Sequence, residues 1–165
     1  YIDDIFGIWH HHGTTEEDDA AWTAFKKDIC SYEGLDWFFS KRVQSLDYLD
    51  IVISISGTRL KTTLFEKELN LYLYIPPHSA HPPGVLKGLV LGNCHRIYTL
   101  CSEPEDVTAL LRMFYYRLRK RGYSPSNLLP LFDCAYHSAT ERINTPPPIL
   151  QLLSLIHISE PTRLV

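Results

Sequence analysis

This chain has no apolar run long enough to span a bilayer and no stretch that reads as a secretory signal, so no membrane partner is expected. Methionine occurs once, at Met113. The four cysteines, Cys30, Cys94, Cys101 and Cys134, form no CxxC pair, and no His/Cys cluster has ligand spacing. No zinc site is expected, and the thiols are read as reduced and mostly buried. The chain also lacks the overall basic excess of a typical nucleic-acid binder, with a net charge of −3.

What is present is a charge asymmetry. Residues 1–50 carry 4 basic and 11 acidic groups, residues 51–121 carry 10 and 5, and residues 122–165 carry 2 and 3. An acidic region next to a basic one suits an enzyme that holds metal ions beside a phosphate backbone. Ordinary charge scatter is the simpler alternative.

The opening stretch "YIDDIFGIWHH" reads as strand, acidic turn, strand, with Ile5, Phe6, Ile8 and Trp9 as strand formers. In "GTTEEDDAAWTAFKKDICSY", Thr14 and Glu17 have capping-box spacing, and acids crowd the first turn. Trp22, Phe25 and Ile29 recur at helical spacing, which predicts an amphipathic helix over a core. "SLDYLDIVISISGTRLKTTLFEK" is the clearest hairpin signal: Leu49, Ile51, Ile53 and Ile55 alternate with Asp50, Val52, Ser54 and Ser56. Four prolines break "NLYLYIPPHSAHPPG". Helical patterns begin at Val85, again after a Ser102–Glu105 capping-box spacing and up to a stop at Gly122, and a third time from Ser124–Pro125, where Pro130 blurs the start. The fold class expected is α+β: a mixed part, a proline-rich break near residues 76–83, and an all-helical part.

Adjacent carboxylates at a hairpin apex would face one small volume, repel, and resist burial. A divalent cation such as Mg²⁺ relieves both problems and shares oxygen ligands with substrate phosphates. The alternative is that Asp3 and Asp4 form a polar turn, which Asp favours.

"YIDD" followed by "IFGIW" resembles the Tyr-x-Asp-Asp motif of reverse transcriptases. The succession of later elements is similar too: a helix after the acidic hairpin, "SLDYLDIVIS…GTRLKTTLFEK" like a primer-grip hairpin, and "NLYLYIPPHSAHPPGVLKGLVLGNCHRIYTLCS" like the start of a thumb in eukaryotic retroelement enzymes, Penelope-like elements above all. Tyr48 stands where that family often has Phe. The likeness covers residues 1 to about 143. It implies residues 1–75 as the end of a palm with the primer grip, 76–83 as linker, 84–143 as thumb and 144–152 as a proline-rich tail.

The resemblance implies roles at matching positions. Asp3 would be a catalytic, metal-binding carboxylate and Asp4 would assist it. Tyr1 would lie near the primer terminus and the incoming nucleotide. Leu49 and Asp50 would position the primer, although core packing for Leu49 and a solvated face for Asp50 are the alternatives. Two Mg²⁺ (or Mn²⁺) ions, held with a further aspartate not found in this chain, would drive nucleotidyl transfer from deoxynucleoside triphosphates to a DNA primer on an RNA template. A thumb would place Lys87, Arg96, Arg112, Arg117, Arg119, Lys120 and Arg121 against phosphates. Phe114, Tyr115 and Tyr116 are read as packing residues, and His10, His11 and His12 as a solvated loop. The setting would be intracellular, in the nucleus or cytoplasm of a eukaryotic host.

With an upstream palm aspartate missing, the sequence looks like a truncated reading frame, and no primer extension is expected from these 165 residues alone. "LSLIHISEPTR", Leu153 to Arg163, resembles a translated sequencing adapter, so residues 153–165 are set aside from fold reasoning. Two other readings stand beside the polymerase: a non-catalytic nucleic-acid-binding remnant of a decayed element, and an unrelated αβ interaction domain.

Overall fold

A computed structural model describes residues 4–11, 13–32, 34–67 and 69–140. Among them it has four helices and one three-stranded antiparallel sheet, an α+β architecture. The chain divides into two compact units between Gln44 and Ser45.

The first unit is built on α1 (Thr15–Ile29). Its start reflects the local chemistry: the Thr14 hydroxyl accepts the Glu17 N–H at 3.3 Å, and Glu17 accepts the Thr14 N–H at 2.7 Å. Glu16, Glu17 and Asp18 meet the positive helix end, and Lys26 and Lys27 the negative one. The helix packs through Trp22 and Phe25, two of the three residues whose spacing predicted its inner face. Trp9, Trp22, Phe25 and Phe39 form a ring cluster with centroids 5.0–5.8 Å apart, capped by the Arg42 guanidinium over Trp9 and Trp22.

The hairpin expected at residues 1–11 is not found where it can be described: residues 4–11 carry no strand, while Tyr1, Ile2 and Asp3 lie outside the described residues. An isolated two-stranded ribbon is marginal unless another layer covers it. Ile5 and Ile8 remain 73% and 52% exposed, and Trp9 turns toward α1 instead.

The second unit opens with β1 (Ser45–Tyr48), β2 (Ile51–Ser56) and β3 (Arg59–Leu64), paired in that order. The register runs from Ser45↔Ser54 to Tyr48↔Ile51, then from Ile51↔Leu64 to Ser56↔Arg59. Two-residue turns join the strands. Gly57, at φ +60°, suits the second turn; Leu49, at φ +55°, adopts a left-handed geometry unfavourable to a branched side chain. The strand expected to run through Leu49 and Asp50 therefore reverses there, and both residues sit exposed at the turn rather than in the core.

After an irregular stretch that includes the prolines of 76–83 come α2 (Val85–Leu100), α3 (Pro104–Lys120) and α4 (Pro125–Thr140). Val90, Cys94, Ile97 and Tyr98 on α2 meet Val107, Leu111, Phe114, Tyr115 and Leu118 on α3 and Leu128, Phe132, Ala135 and Ala139 on α4. These i, i+3 and i, i+4 spacings give each helix one apolar stripe. Gly122 ends α3 at φ +100°, as its composition suggests. Pro130 falls inside α4, which runs unbroken from Pro125.

The Ser102–Glu105 capping box does not form. The N-cap of α3 is Glu103, without a side-chain cap bond, and Pro104 occupies the first turn. Ser102 is engaged elsewhere: its hydroxyl accepts the Thr62 N–H at 3.0 Å, and its own N–H donates to the Thr62 carbonyl at 2.9 Å. Lys61 pairs with Asp106 at 2.9 Å beside it. These bonds tie β3 to the α2–α3 connection, so the sheet and the helices belong to one unit although the proline-rich stretch separates them in sequence.

All four cysteines are free, but only Cys94 is buried; Cys101 is half-buried, and Cys30 and Cys134 are exposed, against the expectation of mostly buried thiols. Burial pushes the Cys94 thiol up to about 12. Iodoacetamide on the folded chain is expected to modify Cys30 and Cys134 and to spare Cys94 until the chain unfolds, because only the thiolate reacts. Peptide mass spectrometry reads this out, and early modification of Cys94 would contradict the described core.

Candidate nucleic-acid interface

The basic residues of α3 take their places from its sequence. An apolar stripe faces α2 and α4, which leaves Arg112, Arg117, Arg119 and Lys120 for the remaining faces. The structure distributes them unevenly. Arg117 is held internally: both terminal nitrogens bond Glu66, and its guanidinium lies 3.5 Å from the centre of the Tyr72 ring. The Glu66 bonds hold Arg117 above its usual range, against desolvation. Arg121 donates through Nε to the Tyr74 carbonyl at 2.6 Å, and Arg119 to the Tyr123 carbonyl at 2.7 Å. Arg96 pairs with Asp50 at 2.8 Å, with both side chains well exposed.

Lys87 on α2 and Lys120 on α3 are exposed. Arg112 is half-buried, and its Nε finds no partner among the described residues. Arg112, Tyr116 and Arg119 have helical spacing, with Lys120 beside Arg119. Of the seven cations that the sequence suggests, Lys87, Arg112 and Lys120 are the ones whose side chains are tied neither to a carboxylate nor to a carbonyl among the described residues. Phe114 and Tyr115 are 3% and 0% exposed and pack against Phe132, as expected of core aromatics.

The acidic site is not assembled by the described residues. Asp4 is exposed, Asp3 and Tyr1 lie outside the described residues, and no group of three His, Cys, Asp or Glu side chains among the described residues converges there. His11 contacts Asp18 at 3.0 Å, His10 is exposed, and His12 is outside the described residues.

Several contributors carry no local sequence signal. Glu66 pairs with an arginine 51 positions away, and Ser102 with a strand 40 positions away. Asp18 is 2% exposed, yet it reads as one of several acids at a helix start. The sequence does signal the α3–α4 connection: the two helices are joined by four residues, 121–124, with Gly122 in a left-handed conformation, a short turn of the length found in helix-turn-helix pairs. The turn is fixed from within, since Tyr123 is 4% exposed and its hydroxyl donates to the Ile75 carbonyl at 2.8 Å.

The fold thus defines an α+β chain whose second unit carries three packed helices, two of them joined by a tight turn. A family model described as the animal helix-turn-helix domain matches residues 73–129, about a third of the chain, ending in the first turns of α4. No curated protein and no solved structure matches. No helix among the described residues is long and apolar enough to cross a membrane.

Proposed function

We propose that the helical unit binds nucleic acid through sequence-independent phosphate contacts, as the thumb-like part of an RNA-directed DNA polymerase from a eukaryotic retroelement. The observation that carries the binding part is the helix-turn-helix match over residues 73–129, because it falls on the helices that present Lys87, Arg112 and Lys120. The polymerase part rests on the Tyr-x-Asp-Asp stretch and on the order of the motifs after it. In that reading the Mg²⁺ ions, the deoxynucleoside triphosphates and the RNA template belong to the parent enzyme, and this chain supplies Asp3, Asp4, the primer-grip turn at Leu49–Asp50 and the helices.

The test is fluorescence anisotropy of the full chain with a labelled RNA–DNA hybrid across a salt series. The logarithm of the association constant is expected to fall linearly with log salt, and Arg112→Gln with Lys120→Gln is expected to reduce the magnitude of the slope by about 2, at roughly 0.9 per phosphate contact on duplex. Arg117→Gln is expected to leave the slope unchanged, because that guanidinium already holds Glu66. No binding at low salt, or binding without salt dependence, refutes the proposal. An interaction domain is the second reading, favoured by Leu69, Leu71 and Leu73, three apolar side chains close together in sequence that are 94%, 78% and 69% exposed. It predicts no hybrid binding in the same titration.

A further inference from the structure

A half-open cavity of about 490 Å³ lies at the surface of the second unit, where the β1–β2 turn, the chain after β3, and helices α2 and α3 meet. That size falls within the roughly 300–1,000 Å³ usual for small-ligand sites. Its lining includes the nearly buried Ile97 and Phe114 and the polar Asn70, Asn93 and Arg96.

Each polar group is partly engaged in a way that leaves a complementary atom for a ligand. The Asn93 amide nitrogen donates to the Leu89 carbonyl at 3.0 Å, so its oxygen can still accept. The Asn70 oxygen accepts the Tyr72 N–H at 3.0 Å, so its nitrogen can still donate. One free acceptor and one free donor beside apolar lining residues suit the edge and face of a nucleobase. Arg96 is tied to Asp50 by an exposed pair, a weak kind of contact that a phosphate can displace. Arg117 is not a competing cation, because Glu66 neutralises it.

The wall between them is strained. Tyr72 lies at φ +47°, a conformation that aromatic residues seldom adopt, and it is held there by Asn70, by the Tyr74 N–H on its carbonyl at 2.9 Å, and by Arg117 against its ring. Such strain clusters at ligand clamps.

We propose that this cavity takes one nucleotide unit, with the base against Phe114 and Ile97, its edge on Asn70 and Asn93, and its phosphate on Arg96 in place of Asp50. The inference rests on the nucleic-acid reading for where the nucleotide comes from: either a free nucleotide or the 5′-phosphorylated end of a single strand.

The experiment is titration of the ¹⁵N-labelled full chain with adenosine monophosphate, adenosine, inorganic phosphate, and hexadeoxyadenylate with and without a 5′-phosphate. The monophosphate is expected to saturate shifts around Asn93 and Arg96 with Kd near or below about 1 mM, and adenosine and phosphate to bind at least about tenfold more weakly. Arg96→Gln, a surface change whose fold is checked by Cys94 protection, should weaken the monophosphate about tenfold. Competition by the 5′-phosphorylated oligomer alone assigns the ligand to a strand end, and its absence assigns it to a free nucleotide. Lack of saturable shifts with the monophosphate overturns the proposal, as does an equal response to inorganic phosphate. The hybrid titration is read at Arg112 and Lys120 instead, so failure of one reading is distinguishable from failure of the other.

Discussion

Leu118→Ala is expected to lower the stability of the helical unit by about 2–5 kcal/mol, the range for deleting a large aliphatic side chain from a packed interior. Leu118 is fully buried on the apolar stripe of α3, in the cluster that joins α2, α3 and α4. The upper part of the range is favoured by its surroundings. Tyr115 and Phe114 are both locked against Phe132, with centroids 5.7 and 5.6 Å apart, and rigid rings collapse poorly into a new void. Urea unfolding followed by far-ultraviolet circular dichroism gives the value. Met113→Ala, on the same helix but 37% exposed, is the control and should change stability by less than about 0.5 kcal/mol. A loss below about 1 kcal/mol at Leu118 would mean that the three-helix core is not packed as described.

Asp18→Ala is expected to have the largest effect in the first unit. The Asp18 carboxylate is 2% exposed and accepts from the Trp9 indole N–H at 2.9 Å and from Arg42, with His11 Nδ1 at 3.0 Å. Its loss strands the part-buried indole donor, at about 1–3 kcal/mol for an unsatisfied buried polar group. Arg42 reaches water and keeps Asp19 as a partner, so it adds little. The local readout is tryptophan emission, since Trp9 and Trp22 pack edge-on under Arg42. A red shift on substitution, partly reversed in Asp18→Asn, is expected. Unchanged emission would show that Asp18 does not organise the cluster.

Some of the candidate interface was legible in the sequence. The basic run of α3 was visible, as were the aromatic residues that pack and the glycine that ends the helix. Which cations stay available was not. Arg117 and Lys120 sit three residues apart and look alike in a charge count, yet one is clamped between Glu66 and Tyr72 while the other faces solvent. The sequence places Leu49 on a strand by its alternation with Asp50, and the turn geometry removes it, because register with β1 reverses the chain at that point.

By itself the sequence determined those features that contiguous atoms decide: the Thr14–Glu17 cap, the stop at Gly122, and the helical character of α2, α3 and α4. Each depends on a backbone angle or on side chains three or four positions apart, so distant structure hardly enters. Tertiary structure alone decided that Ser102 bonds Thr62 rather than caps α3, that Glu66 neutralises Arg117, and that Asp18 is buried among donors. Those choices turn on partners from 7 to 51 positions away. A hydroxyl, a guanidinium or a carboxylate has several partners of similar strength, and only the folded chain brings one of them within hydrogen-bonding distance.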